Sequence, residues 1–575
     1  MKNKIKKYII LPVIGAFLLT GCDEDSFLDQ TNPNTITTDT FWNTSSQFQT
    51  GLNTVYGALQ FQNISGGGLV YEMIMGDIGG TESWYRPLTF RNLTYNDGTY
   101  YVTDKWNELY IGIFRANQVI ENLKTTQVTF EAGERESIEA QARFLRAFFY
   151  FQVVHTYGGA VIHTTVAKNK DDFSKPFSSM DEVTSTIIIP DLEYAEVNLP
   201  LSWSSNNLGR VTVGAAKSML GKAYLFDENY AEAAKLFKEV IDSGVYSLVP
   251  NIMDNFTDEN ELNSESIFEV AYNAEVNPGA NGAIVDDNVN ETGAEATTMA
   301  TAVGQLNYGG YNTLLCSYYL HELYTSDEID PTNSINQGNL HSQRLTATIV
   351  PINGESEYYL LPIGERGGWA FGQSAYIKKH SNWYHLKQED ANSRSGINFR
   401  HIRLADVYLM YAEAVLESTG NVSEAIKYID MVRERAAVVT LDQYMTNNGG
   451  SFPQLHVSKQ VHGAHPMVAP SKESVLTHIQ RVERPLELAF EGHRWKDLVR
   501  WGIVKEVFDE LRADEVWREN NQDVLEISGD GIAPLFIKER VRPDFNLSSA
   551  NYQSAAHDYL PIPVQEQQTN DQLNN

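Results

Sequence analysis

Leu220-Gly221-Lys222-Ala223-Tyr224, followed by Ala233-Ala234-Lys235-Leu236-Phe237, is the stretch that decides how this chain folds. Ala233 and Phe237 stand nine and thirteen residues after Tyr224, the spacing of a tetratricopeptide helix pair. Small residues let two helices approach closely, and the aromatics fill the space that remains. Asp227-Glu228-Asn229 supplies the turn between them. A looser copy runs from Ile402 to Ala436, with Tyr411-Ala412-Glu413-Ala414, a turn at Gly420-Asn421, then Ala425, Ile429 and Val432. One such unit cannot bury its own apolar face, whereas stacked neighbours can.

Working outward, apolar residues recur at helical spacing in three earlier segments: Gln47 to Gln60, Lys105 to Leu123, and Glu136 to Tyr157. The third packs Phe144, Leu145, Phe148, Phe149 and Phe151 on one side and stops at Gly158-Gly159, a C-cap signal. Between about residues 251 and 400 the periodicity fails. Gly, Asn, Ser and Thr dominate there, with strand-like pieces at Ile267 to Tyr272 and Tyr358 to Ile363. An interruption of this length is too long for a connection and points to function. The fold class expected is mainly α: a tetratricopeptide-like helical-repeat scaffold, a large irregular loop-rich ligand-binding region, and few short strands. Helical repeats are expected over about 41–250 and 400–440, with the loop-rich insertion over about 251–400, all in one domain of residues 41–575.

The N-terminus is read separately. Lys2, Lys4, Lys6 and Lys7 precede an apolar run from Tyr8 to Leu19, then Leu19-Thr20-Gly21-Cys22. Basic residues, a short apolar run and small residues before a cut form a secretory signal. The run is too short to span a bilayer comfortably. The cysteine makes this stretch resemble a bacterial lipobox, so residues 1–21 are expected to be a lipoprotein signal peptide and Cys22 the lipidated first residue. Residues 22–40, with Asp23-Glu24-Asp25 and Asn32-Pro33-Asn34, read as a flexible tether.

The chain carries 74 acidic against 44 basic residues, a net charge of −30. That disfavours nucleic acid, which is bound by neutralising phosphates, and it repels anionic lipid, leaving acyl chains to do the anchoring. With Cys22 acylated, Cys316 has no disulfide partner.

Several motifs fail on inspection. Gly214 to Lys222 ends in Gly-Lys, but a phosphate loop needs glycine at position 216, which is Ala. Asp286, Asn288 and Asn290 begin like a calcium loop, but Glu291 and Thr297 occupy positions that need Gly and Glu. Calcium is left as a loose alternative there, and no other cofactor is expected. His456, His462 and His465 lack any supporting metal-ligand pattern and read as a polar loop. No catalytic set emerges, because carboxylate pairs are inevitable among so many acids.

Phe27-Leu28-Asp29, Trp106 with Leu109-Tyr110 and Ala116-Asn117, and Ala142-Arg143-Phe144-Leu145-Arg146-Ala147 together resemble the SusD/RagB family of Bacteroidetes. So do Glu483-Arg484-Pro485-Leu486-Glu487-Leu488, Glu491-Gly492-His493-Arg494, Arg500-Trp501-Gly502 and the ending Leu560-Pro561-Ile562-Pro563. Gly159-Ala160-Val161-Ile162 departs from the family's Gly-Val-Pro turn. The resemblance implies a cell-surface, outer-membrane lipoprotein that is not an enzyme. It implies glycan binding and delivery to a SusC-like TonB-dependent transporter. A peptide-capturing lid of the RagB type is the alternative, and a surface glycosidase a weaker one.

Binding a sugar without catalysis needs flat aromatic faces and polar groups that fix hydroxyls. The first candidate cluster is Asp77 with Glu82-Ser83-Trp84-Tyr85-Arg86, in a glycine-rich, polar neighbourhood; the resemblance places ligand contacts in this part of the chain. Tyr308 and Tyr311, around Gly309-Gly310, and Trp369, after Gly367-Gly368, are the others, flanked by glycines that let a ligand reach the backbone. Trp106, Trp495 and Trp501 are assigned to the core. Trp84→Ala is expected to weaken polysaccharide binding about tenfold, roughly 1.4 kcal/mol, without unfolding the protein; unchanged affinity in calorimetry would remove Trp84 from the site.

Overall fold

The computed structural model describes residues 41–81, 87–277, 294–350, 357–362, 369–370, 374–521 and 544–573. Cys22, its tether, and the Asp286–Asn290 stretch lie outside them. Helices α1 (Ser45–Leu59), α2 (Tyr100–Thr125), α3 (Glu134–Tyr157) and α4 (Ile189–Asn198) come first. They lead into the tetratricopeptide pair, α5 (Val213–Phe226) and α6 (Tyr230–Asp242). The second pair is α7 (Leu404–Thr419) and α8 (Val422–Arg435). Each helix packs on the next, α1 through α8, and α6 packs on α7 although some 160 residues separate them. The repeat array is therefore continuous in space and interrupted only in sequence.

Local chemistry explains these helices. The Thr212 side chain caps α5 by accepting from the Ala215 N–H. Gly221 is needed for close approach: a Cβ there would lie 2.7 Å from the Phe237 ring of α6. Gly158, in the left-handed region at φ 78°, ends α3 and donates to the Val154 carbonyl at 2.9 Å. The adjacent Gly159–Val161, where the family turn is missing, pairs as a short strand with Phe177–Ser179. Arg146 of α3 donates to both carboxylate oxygens of Asp191 on α4, at 2.7 and 2.9 Å, and so bolts the two together. Trp106 and Trp495 are buried; Trp501 is half-buried, its ring N–H donating to Glu413 at 2.8 Å.

Two features differ from the sequence reading. Helix α2 begins at Tyr100, one turn earlier than expected, because Tyr101 and Val102 are buried and the Val102 N–H already bonds the Thr99 carbonyl at 3.0 Å. The insertion is also less irregular than expected. It holds short buried helices at Met299–Val303, Tyr318–Ser326 and Gln343–Thr348, the last two capped by Ser317 and Ser342. Its base is a two-stranded antiparallel ladder, Ser266–Val270 against Phe399–Arg403. Among the described residues no helix is long and apolar enough to cross a membrane.

The insertion and the repeats meet at the Glu483–Asp497 segment, whose charged side chains are buried in ion pairs. Glu483 and Asp327 share Arg344 and Arg433 in a closed four-membered cluster, with separations of 2.6 to 2.9 Å. Arg484 holds Asp406 and Asp497 at 2.7 and 2.8 Å. Glu487 takes Arg403 and Arg435, and Glu491 takes Arg403 and Lys379. Arg403 and Arg435 also share Glu265. Burial alone would raise the Glu265 carboxyl, but Arg435 and Arg403 outweigh it and hold it at about 2.

Breaking a buried pair by removing one partner typically costs about 3–5 kcal/mol, because a desolvated charge is left behind. Arg435→Met should therefore lower unfolding stability at neutral pH by about that much. Since the Glu265 carboxyl ionises below its ordinary 4.5 in the native state, its contribution is present above that value and is lost as pH falls toward about 2. Denaturant titrations across this window should show the wild-type protein losing stability on acidification and Arg435→Met losing less.

Candidate functional site

At the start of α2, Tyr100 is 43% exposed and Asp104, one turn on, is half-exposed on the same face. Tyr101 points the other way and is buried. Tyr71 stacks on Tyr101 with ring centres 4.7 Å apart and meets Tyr100 edge-on at 5.6 Å. This aromatic step forms one wall of an open groove of about 220 Å³. Tyr311, 45% exposed, belongs to the opposite side, with Thr298, Thr301, Thr313 and Ser393. The Tyr311 and Ser393 hydroxyls lie 3.4 Å apart, and the Tyr311 N–H donates to the Thr301 carbonyl at 2.8 Å.

A buried carboxyl holds one of the lining residues in place. Glu108 accepts from the Asn63 backbone and side-chain N–H groups at 2.8 and 2.9 Å, fixing the turn that carries Asn63 into the groove. Burial pushes the Glu108 carboxyl up to about 8 despite those two donors. Burial also raises the Asp104 carboxyl. Exposed aromatic faces beside fixed polar groups suit a polyhydroxylated ligand that presents both an apolar face and hydroxyls.

The sequence-predicted residues separate on this structure. Tyr311 lines the groove. Tyr308 does not line it; half-buried, it stacks over Tyr359 with centres 5.0 Å apart and meets Tyr358 edge-on. Gly310 serves chain packing rather than ligand approach, because a Cβ would sit 2.1 Å from the Gly304 backbone. Glu82, Trp84, Tyr85 and Arg86 lie outside the described residues. Trp369 enters as backbone only, in a strand with Ala370 that pairs with Ser374–Ala375. That hairpin packs beside Leu315–Cys316, which in turn pairs with Gly79–Gly80. Leu315–Cys316, four residues after Tyr311, thus contacts both the stretch before Thr81 and the hairpin that contains Trp369.

Asp77 requires a correction. It is fully buried, and Arg494 grips both its carboxylate oxygens at 2.6 Å, so it holds the fold and is not available to a ligand. Sequence reasoning missed Tyr71, Tyr100, Asp104 and Asn63. The Tyr100-Tyr101 doublet after Asn96-Asp97-Gly98 was the available signal: two aromatics at a helix start cannot both face the core.

Other candidates fall to ordinary roles. Cys316 is buried, with its Sγ 3.3 Å from the Ser317 carbonyl. His465 bonds the Val457 carbonyl at 2.8 Å, and burial holds His456 down at about 3, helped by Arg481, His478 and His465. Among the described residues no cluster of His, Cys, Asp and Glu is arranged to hold a metal ion.

With this geometry in place, comparison with known proteins is decisive on family. Residues 264–575 match the model of the SusD family, and residues 26–225 match a family described as "Starch-binding associating with outer membrane". This chain belongs to the SusD family. The SusD-like protein P2 of Formosa agariphila is 24% identical to it, over 88% of this chain and 92% of that protein. A SusD superfamily protein from Bacteroides vulgatus superposes with a TM-score of 0.71 at 21% identity, covering 93% of this chain and 98% of its own. Surface glycan-binding protein A from Bacteroides thetaiotaomicron, solved with laminarihexaose, gives 0.62 at 20% identity, covering 92% and 98%.

The roles assigned here separate in stability measurements. Asp77→Asn should cost about 3–5 kcal/mol by stranding buried Arg494. Tyr100→Ala and Tyr311→Ala, at exposed positions, should stay within about 0.5 kcal/mol of wild type. Equal unfolding midpoints for all three would contradict the assignment of Asp77 to the fold.

Proposed function

We propose that this protein is a cell-surface, lipid-anchored outer-membrane protein that binds oligo- or polysaccharide and delivers it to a SusC-like TonB-dependent transporter. The observation that carries this reading is the groove, where exposed Tyr100 and Tyr311 stand beside Asp104, Asn63 and Ser393. The two rings offer apolar faces to a pyranose, and the polar groups meet its hydroxyls. Trp84 and Tyr85 belong to the same proposal as further ligand contacts. Family membership, the glycan complex of the Bacteroides thetaiotaomicron protein and the outer-membrane description of the matched family all support it.

Binding here is capture without chemistry. No cofactor is required, and the protein is not an enzyme on this reading. Cys22 carries the acyl chains, and residues 22–40 give the body reach over the transporter mouth. The rigid repeat array holds the groove, while the transporter, closing against it, traps the ligand.

Calorimetry of the purified protein against a panel of polysaccharides tests the core of this reading. At least one glycan should bind, and Tyr100→Ala and Tyr311→Ala should each weaken it about tenfold or more without shifting the thermal midpoint. A blank panel together with co-purifying peptides would point instead to peptide capture.

A further inference from the structure

Charge sorts one class of glycan from another, and the groove is nearly uncharged. Of its fourteen described lining residues, Asp104 alone carries a charge. No described side chain forms a hydrogen bond or ion pair with its carboxylate. The other polar groups are partly committed: Thr301 donates to the Thr298 carbonyl, Thr298 accepts from the Gly67 N–H, and Tyr311 shares its hydroxyl with Ser393.

The cations nearest in sequence to these residues are already neutralised. Lys105, next to Asp104 on α2, is buried against Glu72. Arg394, next to Ser393, holds Asp390 at 2.7 Å.

Resting on the glycan reading above, we propose that the groove takes glycans free of carboxylate and sulfate groups, with the Asp104 carboxylate accepting hydrogen bonds from sugar hydroxyls. A uronate or sulfate entering this groove would lose hydration with no lysine or arginine among the described lining residues to replace it. It would also face Asp104 at short range and the field of a chain carrying −30 overall. A neutral sugar meets neither penalty, and its hydroxyls are the donors that an unengaged carboxylate accepts.

The test is calorimetry of the purified protein with laminarin, starch and other neutral polymers against alginate and polygalacturonate, at about 50 and 500 mM salt. A neutral polymer should bind with an affinity that salt leaves unchanged, and acidic polymers should bind at least about tenfold more weakly. Asp104→Asn, at a half-exposed position, should keep the wild-type melting point and narrow that gap at least about threefold. An acidic polymer that binds as tightly as the best neutral one, or a gap that Asp104→Asn leaves intact, overturns this inference and leaves the glycan reading standing. A panel on which neither class binds overturns the glycan reading, and the inference falls with it.

Discussion

A charge buried without a partner is among the most expensive defects a fold can carry, and this protein buries many. Glu483, Arg484, Glu487, Glu491, Arg494 and Asp497 all lie within fifteen residues and all are removed from solvent. Asp497 finds its counter-charges close by, in Arg484 and Arg500, but the other five each reach one on some other part of the chain. Glu483 requires Arg344 of the insertion and Arg433 of α8; Arg484 requires Asp406 of α7; Glu491 requires Lys379 and Arg403. Hydrophobic contacts tolerate small slips between packed surfaces, whereas a bidentate guanidinium does not. The segment therefore fixes how the insertion sits on the repeats, and everything that lies between them inherits that placement.

The groove is one such inheritance. Its Tyr100–Asp104 wall belongs to α2, within the repeat array, and its Tyr311–Ser393 wall belongs to the insertion. Neither wall alone makes a site. Buried Glu108 locks Asn63 in place, and the Asp77–Arg494 pair ties the stretch before Gly79 to the same charged segment. The groove is thus lined in part by loops, which are positioned by a helical body that contributes about half of its surface.

What could be read from the sequence was local. The Leu220-Gly221-Tyr224 and Ala233-Phe237 spacing is a property of two neighbouring helices, so the repeat was visible without knowledge of anything distant. Family motifs marked the 483–497 stretch, yet nothing in them revealed burial, because Glu and Arg read as surface residues until their partners are known. Asp77 shows the difficulty plainly. Beside glycines it looks like a loop carboxylate, and Arg494, which accounts for it, stands 417 residues away. The short helices of the insertion escaped notice for a related reason: they run five to nine residues, too short for a periodic pattern, and tertiary burial holds them. Tyr311 was found through its glycines, although those glycines serve packing.

The ladder between Ser266–Val270 and Phe399–Arg403 brings the two ends of the insertion side by side. The entropy of closing so long an excursion is therefore settled at one narrow stem, and lengthening the excursion adds little to that cost. Such a stem makes residues 271–398 an exchangeable cassette. Its length and sequence can change while the helical array stays as it is. The freedom has a limit: any replacement must still present the equivalents of Asp327, Arg344 and Lys379 to the charged segment below, as a key must keep the teeth its lock requires.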